Sequence, residues 1–264
     1  MQSLFPIIYE DDELLVINKP AGLVCHPTKG DATSSLIGRI RLYLGHALNS
    51  PNGPAVAPQM INRLDRETSG VVMVAKQQEP ARELRRLWEA GLVQKHYIAI
   101  VHGHVPERHA RIDAPLGRDR QSRVAIKDRV CPDGAPALTE FIRWEVFVRQ
   151  NGLFSSLHVF PKSGRKHQIR IHLAHYGHPI VGDKLYGHDE QCYLDFVAGR
   201  LSDGQKAMLL LANHALHARS VTLNWRGNVR EFAVEPEESL VTFVREGVER
   251  RRGASGLWNP NAFV

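Results

Sequence analysis

Five consecutive apolar residues, Val71-Val72-Met73-Val74-Ala75, form the most restrictive segment of the chain. A run this short and unbroken reads as a strand buried on both faces. Similar runs recur. One ends at Val16-Ile17-Asn18-Lys19 and is stopped by the turn signal Pro20-Ala21-Gly22. Others are Tyr97–Val101, Ile112–Leu116, Arg123–Ile126, Leu138–Val148, Phe154–Phe160, Leu216–Trp225 and Val229–Val234. Helical spacing appears between them, with Leu36, Ile37, Ile40 and Leu44 after a cap at Thr33 or Ser34. Pro80 opens a second helix carrying Leu84, Leu87 and Trp88. Gln168–His175, ended by Gly177 and Pro179, predicts a third. The last runs from about Glu237 to Arg250, with Leu240, Phe243, Val244 and Val248 at core spacing.

Strands outnumber helices, and the two do not alternate regularly. The pattern predicts an α+β fold with a mixed, largely antiparallel central sheet flanked by helices. Residues 49–58 read as a loop. One domain is expected over residues 1–252, followed by a tail, 253–264, in which Trp258 and Phe263 are able to dock.

No glycine-rich phosphate loop follows any strand, so nucleotide cofactors lack support. No apolar run approaches the ~18 residues that span a bilayer. The start, Met1-Gln2-Ser3-Leu4-Phe5-Pro6, lacks the basic and apolar regions of a signal peptide, so a cytoplasmic protein outside the membrane is expected. The 3 cysteines, Cys25, Cys131 and Cys192, are far apart and read as small buried hydrophobes. Lysine and arginine number 34 against 28 aspartates and glutamates, a net charge of +6, which favours a polyanionic partner.

Three segments concentrate chemistry. Residues 61–76 place Asp65 among Arg63, Arg66, Thr68 and Ser69, just before Gly70 and the apolar strand. Loops at strand mouths often carry active sites. Taken alone, Asp65 reads better as one half of a surface ion pair than as a catalytic group, because structural ion pairs are common. Lys95-His96-Tyr97 enters the next strand, where a tyrosine is ordinarily a packing residue. Residues 162–187 gather Lys162, Arg165, Lys166, His167 and Arg170 beside Ser163-Gly164, either as a solvated basic face or as phosphate ligands. His172 and His175 raise a metal site, but no carboxylate stands at ligand spacing, so none is expected.

Together these segments resemble the RluA family of RNA pseudouridine synthases. The family's H-R-L-D-x-x-T-S-G is matched by NRLDRETSG, its K-x-Y strand start by Lys95-His96-Tyr97, and its G-R-x-H-Q-I-R-x-H by GRKHQIRIH. VINKPAGLVCHP and VGDKLYG are similar to two further elements. The resemblance implies a catalytic aspartate at Asp65, an active-site tyrosine at Tyr97 and a basic residue at Arg165 that pairs with Asp65. It implies an apolar pocket residue at Ile169 or Leu173. Asn62 departs from the family's usual histidine. The implied reaction isomerises uridine in ribosomal or transfer RNA, without cofactor or metal, in a monomer. The family's frequent small N-terminal RNA-binding module is not expected before the first strand.

Within that reading Arg63 is the expected filler of the gap left by a flipped base. Lys29, Lys162, Lys166, Arg170 and Lys184 are expected to grip the RNA backbone. Two rivals stand beside it. A glycoside hydrolase would recruit Glu67 as a second carboxylate. A non-catalytic RNA-binding protein would explain the charge alone.

Overall fold

The computed structural model describes residues 4–26, 32–47 and 58–249. Lys29, most of the 49–58 loop, Trp258, Phe263 and the 253–264 tail lie outside them. Among the described residues, ten strands form one sheet. In chain order they are β1 (Ile7–Glu10), β2 (Leu14–Lys19), β3 (Gln59–Met60), β4 (Ser69–Ala75), β5 (Val93–His102), β6 (His109–Asp113), β9 (Leu138–Arg149), β10 (Gly152–Pro161), β11 (Leu216–Trp225) and β12 (Asn228–Ala233). The spatial order is β1-β2-β4-β11-β5-β10-β9-β6, with β3 also on β4 and β12 also on β11. β7 (Leu116–Arg118) and β8 (Asp128–Val130) make a separate hairpin. Among the described strands only β4 and β11 pair in parallel, at Ser69–Gly70 against His217–Ala218.

The apolar run of β4 is explained by what covers it. Val72 and Val74 pack with α1 (Leu36–Ala47), whereas Val71, Met73 and Ala75 pack with α2 (Gln78–Glu89) on the other face. Alternation along a strand sends successive side chains to opposite faces, so a strand covered twice must be apolar throughout. A third core lies under α3 (Gln168–His175) and α6 (Glu238–Glu249), built on β5, β9 and β10. The α+β expectation therefore holds.

Local expectations differ in four places. The expected strand at Ile112–Leu116 is split into β6 and β7 around Ala114-Pro115, because proline has no N–H to give a ladder. Arg123–Ile126 is a loop tied down by Glu190, which accepts from Ser122 Oγ at 2.6 Å and Lys127 Nζ at 3.0 Å. The cap of α1 is Ser35, whose Oγ accepts from the Gly38 N–H at 3.3 Å, not Thr33 or Ser34. Two short helices, α4 (Gln191–Val197) and α5 (Asp203–Leu209), were not anticipated. α5 begins at a Ser202–Gln205 capping box, which is a readable start signal.

Candidate active site

The cleft over the middle of the sheet holds about 1060 Å³, and Asp65, Tyr97, Arg63, Ile169 and Arg170 are among the residues that line it. Asp65 sits in the loop that enters β4. Three features hold that loop. Lys19 is fully buried, and its ammonium donates to the carbonyls of Pro20 (2.9 Å), Leu23 (2.8 Å) and Arg66 (3.1 Å). The Gly22 N–H donates to the same Arg66 carbonyl at 2.9 Å. Asn62 donates through Nδ2 to the Val71 carbonyl at 3.0 Å and accepts the Met73 N–H at 2.8 Å. The residue that departs from the family pattern thus pins the loop to β4.

Gly70 then lets the loop join the sheet. Its φ is +111°, and a Cβ there would run into the Ala218 carbonyl. Only glycine takes that geometry easily. Thr68 Oγ1 lies 2.7 Å from His214 Nε2, and Ser69 Oγ lies 2.8 Å from His217 Nδ1. Both histidines belong to the segment entering or forming β11, and the sequence offered no motif for them.

Arg170 faces Asp65. Its Nη1 donates to Asp65 Oδ2 at 2.8 Å, while Nε and Nη2 grip Asp183 at 2.7 and 2.9 Å. Burial pushes the Asp65 carboxyl upward, but the Arg170 guanidinium outweighs it and holds the group below its usual value. About a quarter of the Asp65 side chain stays exposed, 26%, so the carboxylate is anchored yet reachable. His167 Nε2 lies 3.9 Å from Asp65 Oδ1.

The expected partner, Arg165, lines the same cleft, but the arginine bonded to Asp65 is Arg170. Arg165 is exposed, and its Nε donates to the Pro136 carbonyl at 3.1 Å. The reason is helix phase. Arg165 precedes α3, whereas His167 and Arg170, three residues apart, project from the same side of it. Gln168 and His172 take another side, where both meet Thr139 Oγ1, at 3.0 and 2.8 Å. Ile169 and Leu173 enter the core. Of that pair Ile169 reaches the cleft, while Leu173 is fully buried and is not among the lining residues.

Tyr97 and Lys95 line the cleft from β5, and His96 between them faces away. Burial first and the Asp65 charge second push the Tyr97 phenol well above its ordinary value, so it stays neutral. Lys95 Nζ donates to the Ser163 carbonyl at 2.7 Å, tying β5 to the basic segment.

Two other expected cations are not free for a ligand. Lys184 is buried against Glu67 at 2.6 Å, and Arg170 is shared between two aspartates. That pairing also removes Glu67 as an accessible second carboxylate. Lys162 and Lys166 remain at the cleft rim, paired with Glu140 at 3.0 Å and Asp128 at 2.8 Å. His172 uses both ring nitrogens, on Thr139 Oγ1 and on the Ala114 carbonyl at 2.9 Å. Cys25 and Cys192 are buried as read, while Cys131 is only half-buried.

A family model described as RNA pseudouridylate synthase matches residues 13–175. The chain belongs to the RNA pseudouridylate synthase family. An RNA pseudouridine synthase of Chloroflexus aurantiacus is 40% identical over 170 residues, 64% of this chain and 51% of that protein. Ribosomal large subunit pseudouridine synthase D of Nitrosomonas europaea is 38% identical over 181 residues, 69% of this chain and 49% of that protein. The chain spans about half the length of these curated relatives. Human RNA pseudouridylate synthase domain containing 1 shares the fold, with a TM-score of 0.70 over 95% of both chains at 22% identity. These findings agree with the RluA-type resemblance. Among the described residues, no helix is long and apolar enough to cross a membrane.

Proposed function

We propose that this chain converts uridine to pseudouridine within RNA, with Asp65 as the reacting carboxylate. The reading rests on one observation above others: Asp65 is anchored through Oδ2 by Arg170 at 2.8 Å and still opens to a cleft lined by Tyr97. In the reaction the bond from the sugar to N1 breaks, the uracil turns, and a bond from the sugar to C5 forms. The C5 proton leaves, and N1 is protonated. No electrons enter or leave, so no redox cofactor is called for.

An ionised carboxylate suits the first step, as a nucleophile or as an electrostatic aid to glycosidic cleavage. Arg170 keeps Asp65 ionised. Tyr97, held neutral, serves as a ring against the uracil and not as the base that takes the C5 proton. The exposed Arg63, Arg66 and Lys162 at the cleft suit phosphates. Similarity to the ribosomal large subunit pseudouridine synthase of Nitrosomonas europaea favours ribosomal over transfer RNA as substrate.

Asp65→Asn is the test, assayed on RNA transcripts beside the wild type by pseudouridine mapping. Loss of pseudouridine with RNA binding retained is expected; full modification by the variant overturns the assignment. Mapping of ribosomal and transfer RNA from cells lacking the gene then identifies the substrate, and a missing site in transfer RNA alone would overturn the ribosomal choice.

A further inference from the structure

Arg170 cannot be aimed by Asp65 alone. An arginine side chain carries about 2 kcal/mol of rotamer entropy, and a single hydrogen bond to a part-exposed carboxylate fixes it weakly. In this chain the guanidinium is gripped from the far side. Asp183 takes Nε and Nη2 through both of its oxygens, at 2.7 and 2.9 Å, and leaves only Nη1 for Asp65. Asp183 is itself immobile: its side chain is 0% exposed, and Oδ1 also accepts the Leu185 and Tyr186 N–H groups at 2.9 and 3.0 Å.

The same turn holds the second group facing Asp65. The Tyr186 ring lies 5.0 Å from the Arg170 guanidinium carbon. Its hydroxyl is 2.9 Å from His167 Nδ1, and His167 Nε2 points at Asp65 from 3.9 Å. His167 has a φ of +55°, an unfavourable left-handed conformation for a side chain with a Cβ. It therefore needs an outside hold. The turn is tight enough to supply one: Gly182 has a φ of +78°, and a Cβ on Gly187 would run into the Asp183 carbonyl.

We propose that the turn at residues 182–187 is a positioning element for the reaction, in which Asp183 aims the Arg170 guanidinium and Tyr186 aims the His167 imidazole at Asp65. The claim rests on the functional reading above and adds a division of labour to it. Asp65 is the carboxylate whose charge changes as it reacts. Asp183 is the one whose charge does not. An arginine tied only to Asp65 would lose its anchor when that charge is spent; tied to Asp183, it stays in place through the cycle.

Asp183→Asn is the first test, because it keeps the shape and removes one acceptor. A turnover loss of roughly 100-fold with KM within about 3-fold is expected, the size that a misplaced group produces. The second readout needs no RNA: the 13Cγ titration of Asp65 in the free protein. Loss of a negative neighbour alone would move its midpoint down, whereas release of Arg170 moves it up. An upward move supports the proposal; an unmoved or lower midpoint, or wild-type turnover, overturns it.

Asp183→Glu serves where the asparagine variant does not fold. It keeps the charge and displaces the carboxylate by one methylene, so slow turnover supports aiming, and wild-type turnover means that any buried negative charge suffices. Tyr186→Phe keeps the ring and frees His167; a roughly 10-fold loss of turnover with KM unchanged is expected, and no loss removes Tyr186 from the element. A wild type that makes no pseudouridine would sink the functional reading, while the titration would still decide whether Asp183 aims Arg170.

Discussion

Asp65 and Arg170 meet at 2.8 Å although 105 residues separate them in the chain. The contact joins the loop before β4 to the first turn of α3, so the site exists only when the sheet and α3 are packed together. It also decides between two arginines of one motif.

Arg170→Ala is expected to lower turnover by at least ~100-fold, since it leaves two carboxylates facing each other without their shared cation. Arg165→Ala, which removes an exposed side chain bonded to the Pro136 carbonyl, is expected to stay within about 3-fold. Steady-state assays on one RNA transcript check both. Equal losses in the two variants would contradict the geometry.

Much of this was legible in the chain, and the failures share a cause. The limits of α3, Gln168–His175, follow from its apolar spacing and its stop at Gly177. The double coverage of β4 follows from its unbroken apolar run. Motif position alone points to Arg165, whereas the spacing of three between His167 and Arg170, present in the same residues, puts those two on one side of the helix and selects Arg170. Lys184 and Lys19 were another matter. A lysine in sequence looks solvated, and only tertiary structure reveals the Glu67 carboxylate or the cage of carbonyls that lets it be buried. His214 and His217 lay in no recognisable pattern, because their partners, Thr68 and Ser69, are about 146 and 148 residues away.

Asn62→Ala is expected to destabilise the fold by about 1–3 kcal/mol, because it removes both the acceptor for the Met73 N–H and the donor to the Val71 carbonyl. Urea unfolding measures the change. Asn62→His restores the usual family residue but not the amide's paired donor and acceptor, so part of the same loss is expected. A stability unchanged in both variants would mean that the strap contributes nothing.

Arg63 is exposed at the cleft, two residues before Asp65. If it fills the gap left by the flipped uridine, Arg63→Ala should weaken modification of folded RNA by roughly 10-fold or more, and of an unstructured strand much less. Comparing a stem-loop with a single-stranded transcript tests this. Equal effects on both would reduce Arg63 to a phosphate contact.

Acid should destabilise the protein through its buried histidines: burial pushes His96 down to about 3 and His102 down to about 4, and two more lie behind the Asp65 loop. Burial pushes His214 down to about 3 and His217 down to about 4, from an ordinary 6.5. All four are therefore neutral in the folded chain, and below pH 6.5 the unfolded chain binds protons that the folded chain refuses. Stability is full above pH 6.5 and is lost as the pH falls towards 4. At pH ~5 each histidine behind the loop costs about 2 kcal/mol, or roughly 4 kcal/mol for that pair. Asp65 and Asp183, both held below the ordinary carboxylate value, lose their contribution only at still lower pH. Glu67, pushed up by burial, opposes the trend at its acid edge. Urea unfolding at pH 7 and pH 5 measures the difference, and His217→Asn should reduce it, since an asparagine carries no proton-binding site in this range. Identical stability at the two pH values would mean that none of these rings is protected from protons by its burial.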